Sequence, residues 1–422
     1  MQQQVAQTLG RRQMAALALG NGLEIYDFVL YGFLASVLAR QFFPASDPLT
    51  SLFAVFMVFG AGFVMRPLGA ICLGWYADRH GRLAALQWSI ALMGMGTLIF
   101  VVAPTYAQIG AWAGALLVLG RLLQGFSMGG EIGASSVALL EGGDERAACR
   151  RVSWQFASQG GGSALAALVV LWLGQMLPAD AFAAWGWRLA FALGLLVVPV
   201  AWMIRRTLAA ASPAGHTTRT PLWPHRRVLA WGTLLITGST ASVYLILNFL
   251  PVFLAEQQGW PKLIGQSAAL LASLVILLAS PWMGRLADRW PQRTWLIRPA
   301  LLLGMALVPL LFGLILSGQV RWGILPVVAL FMLTTVAQTV SGLTLMMECF
   351  PAANRTLAMG ICYSLGVTLF GGFSAALVLK LMALTGSPWV PAGYLLLALA
   401  MSWLAAGRLT AAARVSFGWQ PA

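Results

Sequence analysis

The chain has 422 residues, of which 59% are apolar and only 9% charged, and its mean hydropathy is +0.81. A soluble domain carries about 25% charged residues, so a soluble globular protein is excluded, together with fibrous, disordered and disulfide-rich secreted chains. A polytopic helical membrane protein remains, and at about 20 apolar residues per span the length holds roughly twelve spans.

The 26 Lys and Arg against 12 Asp and Glu give a formal net charge of +14. In a membrane protein such an excess marks the cytoplasmic loops, so no nucleic-acid partner is expected. Cys72, Cys149, Cys349 and Cys362 show neither paired nor metal-ligand spacing and are expected as free thiols. His80, His216 and His225 fall in loops, no metal cluster is visible, and no cofactor is expected.

In chain order, Arg11 and Arg12 precede the first apolar stretch, which lacks a small-residue cleavage site and reads as a span rather than a removed signal peptide. Apolar runs fall at 14–38, 51–77, 83–103, 111–140, 152–176 and 187–205. A second set follows at 229–254, 264–284, 299–317, 323–348, 356–384 and 390–408. Between the sets lies a polar segment with Pro213, Gly215, Pro221 and Pro224, a linker composition. The expected organisation is an N-terminal six-helix bundle over 1–206, a cytoplasmic linker over 207–228 and a C-terminal six-helix bundle over 229–422. With the N-terminus inside, nineteen basic residues fall on the cytoplasmic face and five on the other, which predicts both termini in the cytoplasm. Arg66 and Arg121 are left over, within spans.

An internal repeat supports duplication. Gly74-x-x-Ala77-Asp78-Arg79-His80-Gly81-Arg82 follows the second run, and Gly284-x-x-Ala287-Asp288-Arg289 follows the eighth, 210 positions later. Glu141 with Arg146 after the fourth run is matched by Glu348 with Arg355 after the tenth, 207 positions later.

Five charges lie well inside spans, Glu24, Asp27, Arg66, Arg121 and Glu131, all in the first half. Such groups persist mainly where they face a cavity or a partner. Glu24 and Asp27 stand at i and i+3 with Tyr31 four further on, so one face of the first span carries all three. Two carboxyls that close cannot both stay ionised cheaply, and one of them is expected to carry a proton, Asp27 being nearer mid-span. Arg66 opens an Arg-Pro-Leu-Gly break and offers a planar fork for a carboxylate; its other reading is a tie to Glu24 or Glu131. Glu131, about 15 Å along the helix from Arg121, reads as an inner proton relay or a gate partner. The polar residues singled out as cargo contacts are Gln124, Gln155, Gln159, Asn248 and Tyr363, beside Tyr31, Arg66 and Arg121. Gln and hydroxyl side chains in membrane helices also tie helices together or bond their own backbone. Trp154, Trp172, Trp185 and Trp187 are expected as interface anchors. No aromatic cage for a cation is evident from spacing.

The Gly74–Arg82 stretch resembles the loop signature of the major facilitator superfamily. Gly20-Asn21-x-x-Glu24-Ile25-Tyr26-Asp27-Phe28-x-x-Tyr31-Gly32 resembles the first-helix signature of its metabolite:proton symporters. Arg66-Pro67-Leu68-Gly69, Arg121-x-x-Gln124-Gly125, Gly129-Gly130-Glu131 and Glu348-Cys349-Phe350-Pro351 fit the same family. Within it, Phe42-Phe43-Pro44, Gly60–Arg66 and Ser153-Trp154-Gln155 look most like citrate and tricarballylate transporters. The resemblance implies an all-α membrane protein with twelve helices in two pseudo-symmetric bundles, working by alternating access. It implies that Gly74, Asp78, Arg79, Gly81 and Arg82, with Asp288, Arg289, Glu141, Arg146, Glu348 and Arg355, latch helices in one state rather than bind cargo. It also implies, by likeness to proton-coupled sugar porters, that Asp27 pairs with Arg121, either as the proton switch or as a permanent tie. The expected partners are a small organic anion, protons and the lipid bilayer, for a monomer in a bacterial inner membrane. Uptake of a tricarboxylate is the leading reading. Carriers of a dicarboxylate, a 2-oxoacid or a zwitterion such as betaine or proline, and an exporter of an anionic metabolite or drug, stand beside it. No nucleophile–base pair or metal set suggests an enzyme.

Overall fold

The computed structural model describes residues 11–80, 82–129, 131–195, 199, 223–290 and 292–417, and every regular element among them is helical. Where they are described, all twelve apolar runs fall mainly on helix. The first span is Arg11–Phe33, broken at Leu34 and continued by Ala35–Phe42, with a bend of 62°. The second is Pro48–His80, the third Arg82–Val102, and the fourth Trp112–Gly129 with Glu131–Glu141. The fifth is Ala148–Met176, and the sixth enters through a π-turn at Phe182–Gly186 and runs through 187–195. The seventh is Arg226–Gln257, the eighth Lys262–Asp288 and the ninth Thr294–Ser317. The tenth is Ile324–Glu348, the eleventh Arg355–Thr385 and the twelfth Val390–Phe417. Among the described residues eight helices are long and apolar enough to cross a membrane, nine with the bent pair, and Gln87–Val102 is a shorter apolar helix. The fourth and sixth include positions outside the described residues, as does most of the expected linker.

Local chemistry sets the ends. Asp47 precedes the second span and accepts from Leu49 N (3.2 Å), Thr50 N (3.1 Å) and Thr50 Oγ1 (2.9 Å). The Thr50 hydroxyl first, then these amides, hold its carboxyl below the usual range. Gly318 and Gly386, both at φ +67°, close the ninth and eleventh spans in the left-handed conformation that glycine tolerates best.

In the first six spans the fourth packs on the second and third, and the fifth on the first. In the last six the tenth packs on the eighth and ninth, and the twelfth on the seventh and ninth. Two seams join these groups: the fifth span lies along the eighth, and the second against the eleventh. The run Gly160-Gly161-Gly162 explains how the fifth span serves both neighbours. A Cβ at Gly160 would meet the eighth span at Leu277 N, and one at Gly162 would run into the Gly22 carbonyl of the first.

Glycines also weld the second span to the fourth. A Cβ at Gly125 would strike the Gly62 carbonyl, one at Gly129 the Arg66 carbonyl, and one at Gly69 the Phe126 carbonyl. These are backbone obstacles that no rotamer change relieves, and they fix the register that brings Arg66 and Arg121 into one layer. Gly125→Val is therefore expected to prevent assembly, leaving little monodisperse protein in detergent. A variant that elutes and melts like the parent on size-exclusion thermal scans would refute this packing.

Candidate functional site

Burial of charge is as lopsided as the sequence predicts. Glu24, Asp27, Arg66, Arg121 and Arg151 are the buried charged residues among those described, and all belong to the first six spans. The last six contribute buried polar groups without charge, Asn248, Gln338, Ser341 and Thr344 among them. Arg151 has a local explanation: its guanidinium donates to the carbonyls of Leu139 (2.9 Å), Leu140 (2.6 Å) and Asp144 (2.5 Å), closing the end of the fourth span.

Arg66 and Arg121 are 1% and 0% exposed, and neither forms an ion pair among the described residues. Aromatic faces surround them instead. The Arg66 guanidinium lies 4.3 Å from the Phe63 ring and 4.9 Å from Phe28. That of Arg121 lies 4.0 Å from Tyr31, 4.7 Å from Phe28, 5.1 Å from Phe59 and 5.6 Å from Phe100. The two cations thus share the Phe28 ring. Desolvated cation–π contacts are worth about 2 kcal/mol each and offset the several kcal/mol that burying a charge costs. A guanidinium keeps its charge in such a setting, and its planar fork suits a carboxylate. The spacing of aromatic residues gave no sign of a cage, yet the first, second and third spans build one, with Tyr244 of the seventh closing on Phe59 at 5.8 Å and Phe63 at 5.3 Å. Its cations are the protein's own arginines.

Arg66 reaches the second half. Its charge acts on the Tyr244 and Tyr363 hydroxyls, and Gln159 lies beside Tyr363. Pro67 adds a further link. Having no N–H, it cannot satisfy the Phe63 carbonyl one turn back, and Thr368 Oγ1 of the eleventh span donates to that carbonyl at 3.1 Å. Thr368 sits in a π-turn, Thr368–Gly372, and Asn248 in another, Leu245–Phe249. Such turns are frequent at functional sites. Asn248 is 2% exposed, neither of its amide atoms has a hydrogen-bond partner, and a Cβ on Gly32 would collide with it.

Asp27 is 2% exposed. Its Oδ2 accepts from Thr97 Oγ1 at 2.9 Å, and its Oδ1 faces Gly194 of the sixth span without a hydrogen-bond partner. The expected direct contact with Arg121 is replaced by a bridge. Arg121 Nη1 donates to Gln124 Oε1 (2.9 Å), Gln124 Nε2 donates to Thr97 Oγ1 (3.1 Å), and Arg121 Nη2 donates to the Phe28 carbonyl (3.0 Å). Glu24 is buried one turn before Asp27. Tyr31 donates to the Val55 carbonyl at 3.3 Å while its ring underlies Arg121.

Gln155 stands apart from this group. Its Nε2 donates to Asn21 Oδ1 (2.9 Å), and Asn21 Nδ2 donates to Gln155 O (3.1 Å) and Ser158 Oγ (2.8 Å), a clasp between the first and fifth spans. Trp187 corrects another expectation. It is fully buried against Phe42 and Phe191, whereas Trp154, Trp172 and Trp185 are exposed.

The latch residues pair differently from their order in the sequence. Asp288 accepts from the backbone N–H groups of Cys149 (2.9 Å) and Arg150 (3.0 Å), placing its charge on the first turn of the fifth span. Arg293, which the repeat did not reveal, joins Asp288 (3.7 Å) to Glu348 (3.2 Å), whereas Arg289 is exposed. Burial works against the charge of Arg293, but Cys149, Glu348 and Asp288 together hold its pKa above the ordinary arginine value. Glu141 pairs across the seam with Arg355 at 2.9 Å, leaving Arg146 exposed. At the opposite end Arg40 meets Glu256 at 3.0 Å. Arg79 lies over the Trp75 ring at 3.9 Å, and Gly74 is open. Gly81 and the side chains of Asp78, Arg82 and Glu131 lie outside the described residues. All four cysteines are free, and Cys149 is buried beneath the Asp288 latch. Arg293→Ala is expected to loosen that latch and raise maleimide labelling of Cys149 several-fold in a Cys72→Ser background. An unchanged labelling rate would show that Arg293 does not hold the seam.

Helices paired across two seams, with a charged interior in one half only, define a membrane carrier of the facilitator type. The Major Facilitator Superfamily profile matches residues 17–366, and the chain belongs to that superfamily. It is 35% identical over 391 residues to the citrate-proton symporter of Klebsiella pneumoniae, covering 89% of this chain and 86% of that protein. It is 33% identical over 379 residues to the alpha-ketoglutarate permease of Escherichia coli (strain K12), covering 86% of each. The crystal structure of a D-xylose-proton symporter superposes with a TM-score of 0.73 at 16% identity, over 93% of this chain and 97% of that one, and shows the shared fold.

Proposed function

We propose that the protein is a transporter, not an enzyme, that takes up a small organic anion with protons by alternating access, and that its cargo is a tricarboxylate of the citrate type. The observation that carries this reading is the pair of buried guanidinium groups, Arg66 and Arg121, with aromatic walls and no carboxylate in ion-pair contact among the described residues. A multiply charged acid supplies the missing counter-charge, and the planar forks suit carboxylates. Moving a net negative cargo inward against the membrane potential costs about 2.3 kcal/mol per charge per 100 mV, so co-transported protons must at least neutralise it. Asp27, beside Arg121 through the hydrogen-bonded bridge, is the proton carrier in this reading, with Glu24 a turn away and Glu131 toward the cytoplasmic mouth.

Arg66, Arg121, Tyr363 and Gln159 form the cargo site, with Asn248 as an unpartnered amide toward the other end. Two six-helix bundles divided by the segment 207–228 alternate about this site. The nineteen-to-five distribution of basic residues supports cytoplasmic termini in a bacterial inner membrane. The aromatic cluster does not favour a betaine-like cation, because it already surrounds two guanidinium groups.

The test is uptake of radiolabelled citrate into proteoliposomes under an imposed pH gradient, with unlabelled tricarballylate, 2-oxoglutarate, betaine and proline as competitors. Accumulation that needs the gradient, blocked by tricarboxylates, is the expected result. Accumulation without a gradient overturns the coupling, and blockage by 2-oxoglutarate alone moves the cargo to dicarboxylates.

A further inference from the structure

Gln124 stood among the cargo ligands on sequence grounds. Its surroundings say otherwise: it is 0% exposed, and both ends of its amide are engaged inside the protein. Thr97, in the third span, is also 0% exposed and had no assigned role. We propose that Thr97 and Gln124 are positioning residues for proton coupling, a two-residue hydrogen-bonded bridge that passes the protonation state of Asp27 to Arg121. The proposal rests on the transport reading above.

The bridge has a defined polarity. Arg121 can only donate, so it donates to Gln124 Oε1 and fixes the amide with Nε2 toward Thr97. Thr97 Oγ1 accepts from that Nε2, which leaves its single proton for Asp27 Oδ2 at 2.9 Å or the Met93 carbonyl at 3.1 Å. An ionised Asp27 draws that proton, and every bond from Arg121 to the carboxylate then points the same way, each strengthening the next. When Asp27 binds a proton its oxygens no longer demand the threonine proton, and the hydroxyl turns to Met93. The new carboxyl proton can itself seek Thr97 Oγ1, competing with Gln124 for that oxygen. The chain of aligned donors is broken, and the hold of Gln124 on Arg121 weakens. Arg121 is thereby freed toward a cargo carboxylate without a direct Asp27–Arg121 contact in the described state. The other titratable groups facing Asp27 are Glu24 and Tyr26 on its own helix and Arg121 on the fourth span, while the sixth span presents Gly194.

Thr97→Val keeps the shape of the side chain and removes the donor; Thr97→Ser restores the donor. Both are reconstituted as full-length protein beside the parent. Three readings are taken: citrate counterflow at equal pH, gradient-driven accumulation, and the pH profile of uptake. The expected result for Thr97→Val is counterflow within about twofold of the parent, a clear loss of driven accumulation, and a pH profile moved upward by about one unit, because the carboxylate has lost a stabilising donor. Thr97→Ser returns the parental profile. Gln124→Met, which cannot pass the hydrogen bond on, reproduces the Thr97→Val pattern and is decisive if the valine variant does not fold. Parental accumulation and profile in these variants overturn the bridge, and so does loss of counterflow in a folded variant, which would make the residues cargo ligands. Failure of the parent to accumulate citrate or any competitor acid instead refutes the transport reading, which separates the two outcomes.

Discussion

Asp27→Asn is expected to abolish gradient-driven accumulation while leaving exchange of cargo across the membrane largely intact. The amide is nearly isosteric with the carboxyl, and its oxygen can still accept from Thr97, so the helix contacts around Thr97 and Gly194 persist. What disappears is the ability to bind and release a proton. In the parent, each co-transported proton can drive about tenfold accumulation per pH unit, equivalent to about 1.4 kcal/mol. In the variant the interior concentration should rise no further than equilibration, whatever the imposed gradient. Counterflow measured beside driven uptake in the same proteoliposomes makes the comparison internal. Accumulation that survives would remove Asp27 from the coupling path and leave Glu24 or Glu131 to carry the proton. Loss of both activities in folded protein would instead favour Asp27 as a fixed brace for the first, third and sixth spans.

The difference between what was legible in the chain and what was not follows from the range over which each signal acts. Hydropathy is local, so the helical runs among the described residues were visible, and buried charge stands out against an oily background, so Asp27, Arg66 and Arg121 were visible too. Pairing across helices is not local. Glu141 and Arg146 stand five residues apart, yet Glu141 reaches Arg355 from the other half. Arg293 looked like one more basic loop residue, and only folding sets it between Asp288 and Glu348. Thr97 carried no signal in the sequence: it bonds its own backbone at Met93, as threonines in membrane helices often do, and its second bond to Asp27 could not be read from a linear pattern. The aromatic layer draws Phe28, Phe59, Phe63 and Phe100 from three spans, with no periodicity to link them. Gln155 and Gln159 stand one turn apart on the fifth span, but the first is held by Asn21 while the second lies beside Tyr363. Helical spacing gives the face and not the neighbour.

Arg66→Lys tests the cargo site itself, because it keeps the charge and removes the geometry. A guanidinium can stack on Phe63 and Phe28 while offering two parallel N–H groups to a carboxylate. An ammonium is a compact point charge that does neither at once. Citrate affinity, measured by calorimetry in detergent, should fall about 10- to 100-fold, or about 1.4–2.8 kcal/mol. Thermal stability should change less, since an ammonium can still meet the Tyr244 hydroxyl and the other side-chain contact of Arg66 is the weak one to Met128 Sδ at 3.6 Å. Arg121→Lys should be costlier in both respects, because Arg121 also holds Gln124 and the Phe28 carbonyl. The two arginines therefore separate by the ratio of affinity lost to stability lost. Cargo binding predicts a high ratio at Arg66 and a lower one at Arg121. If Arg66→Lys lowers the melting temperature and leaves citrate affinity unchanged, Arg66 is a helix tie and the anion site must be sought elsewhere in the charged half.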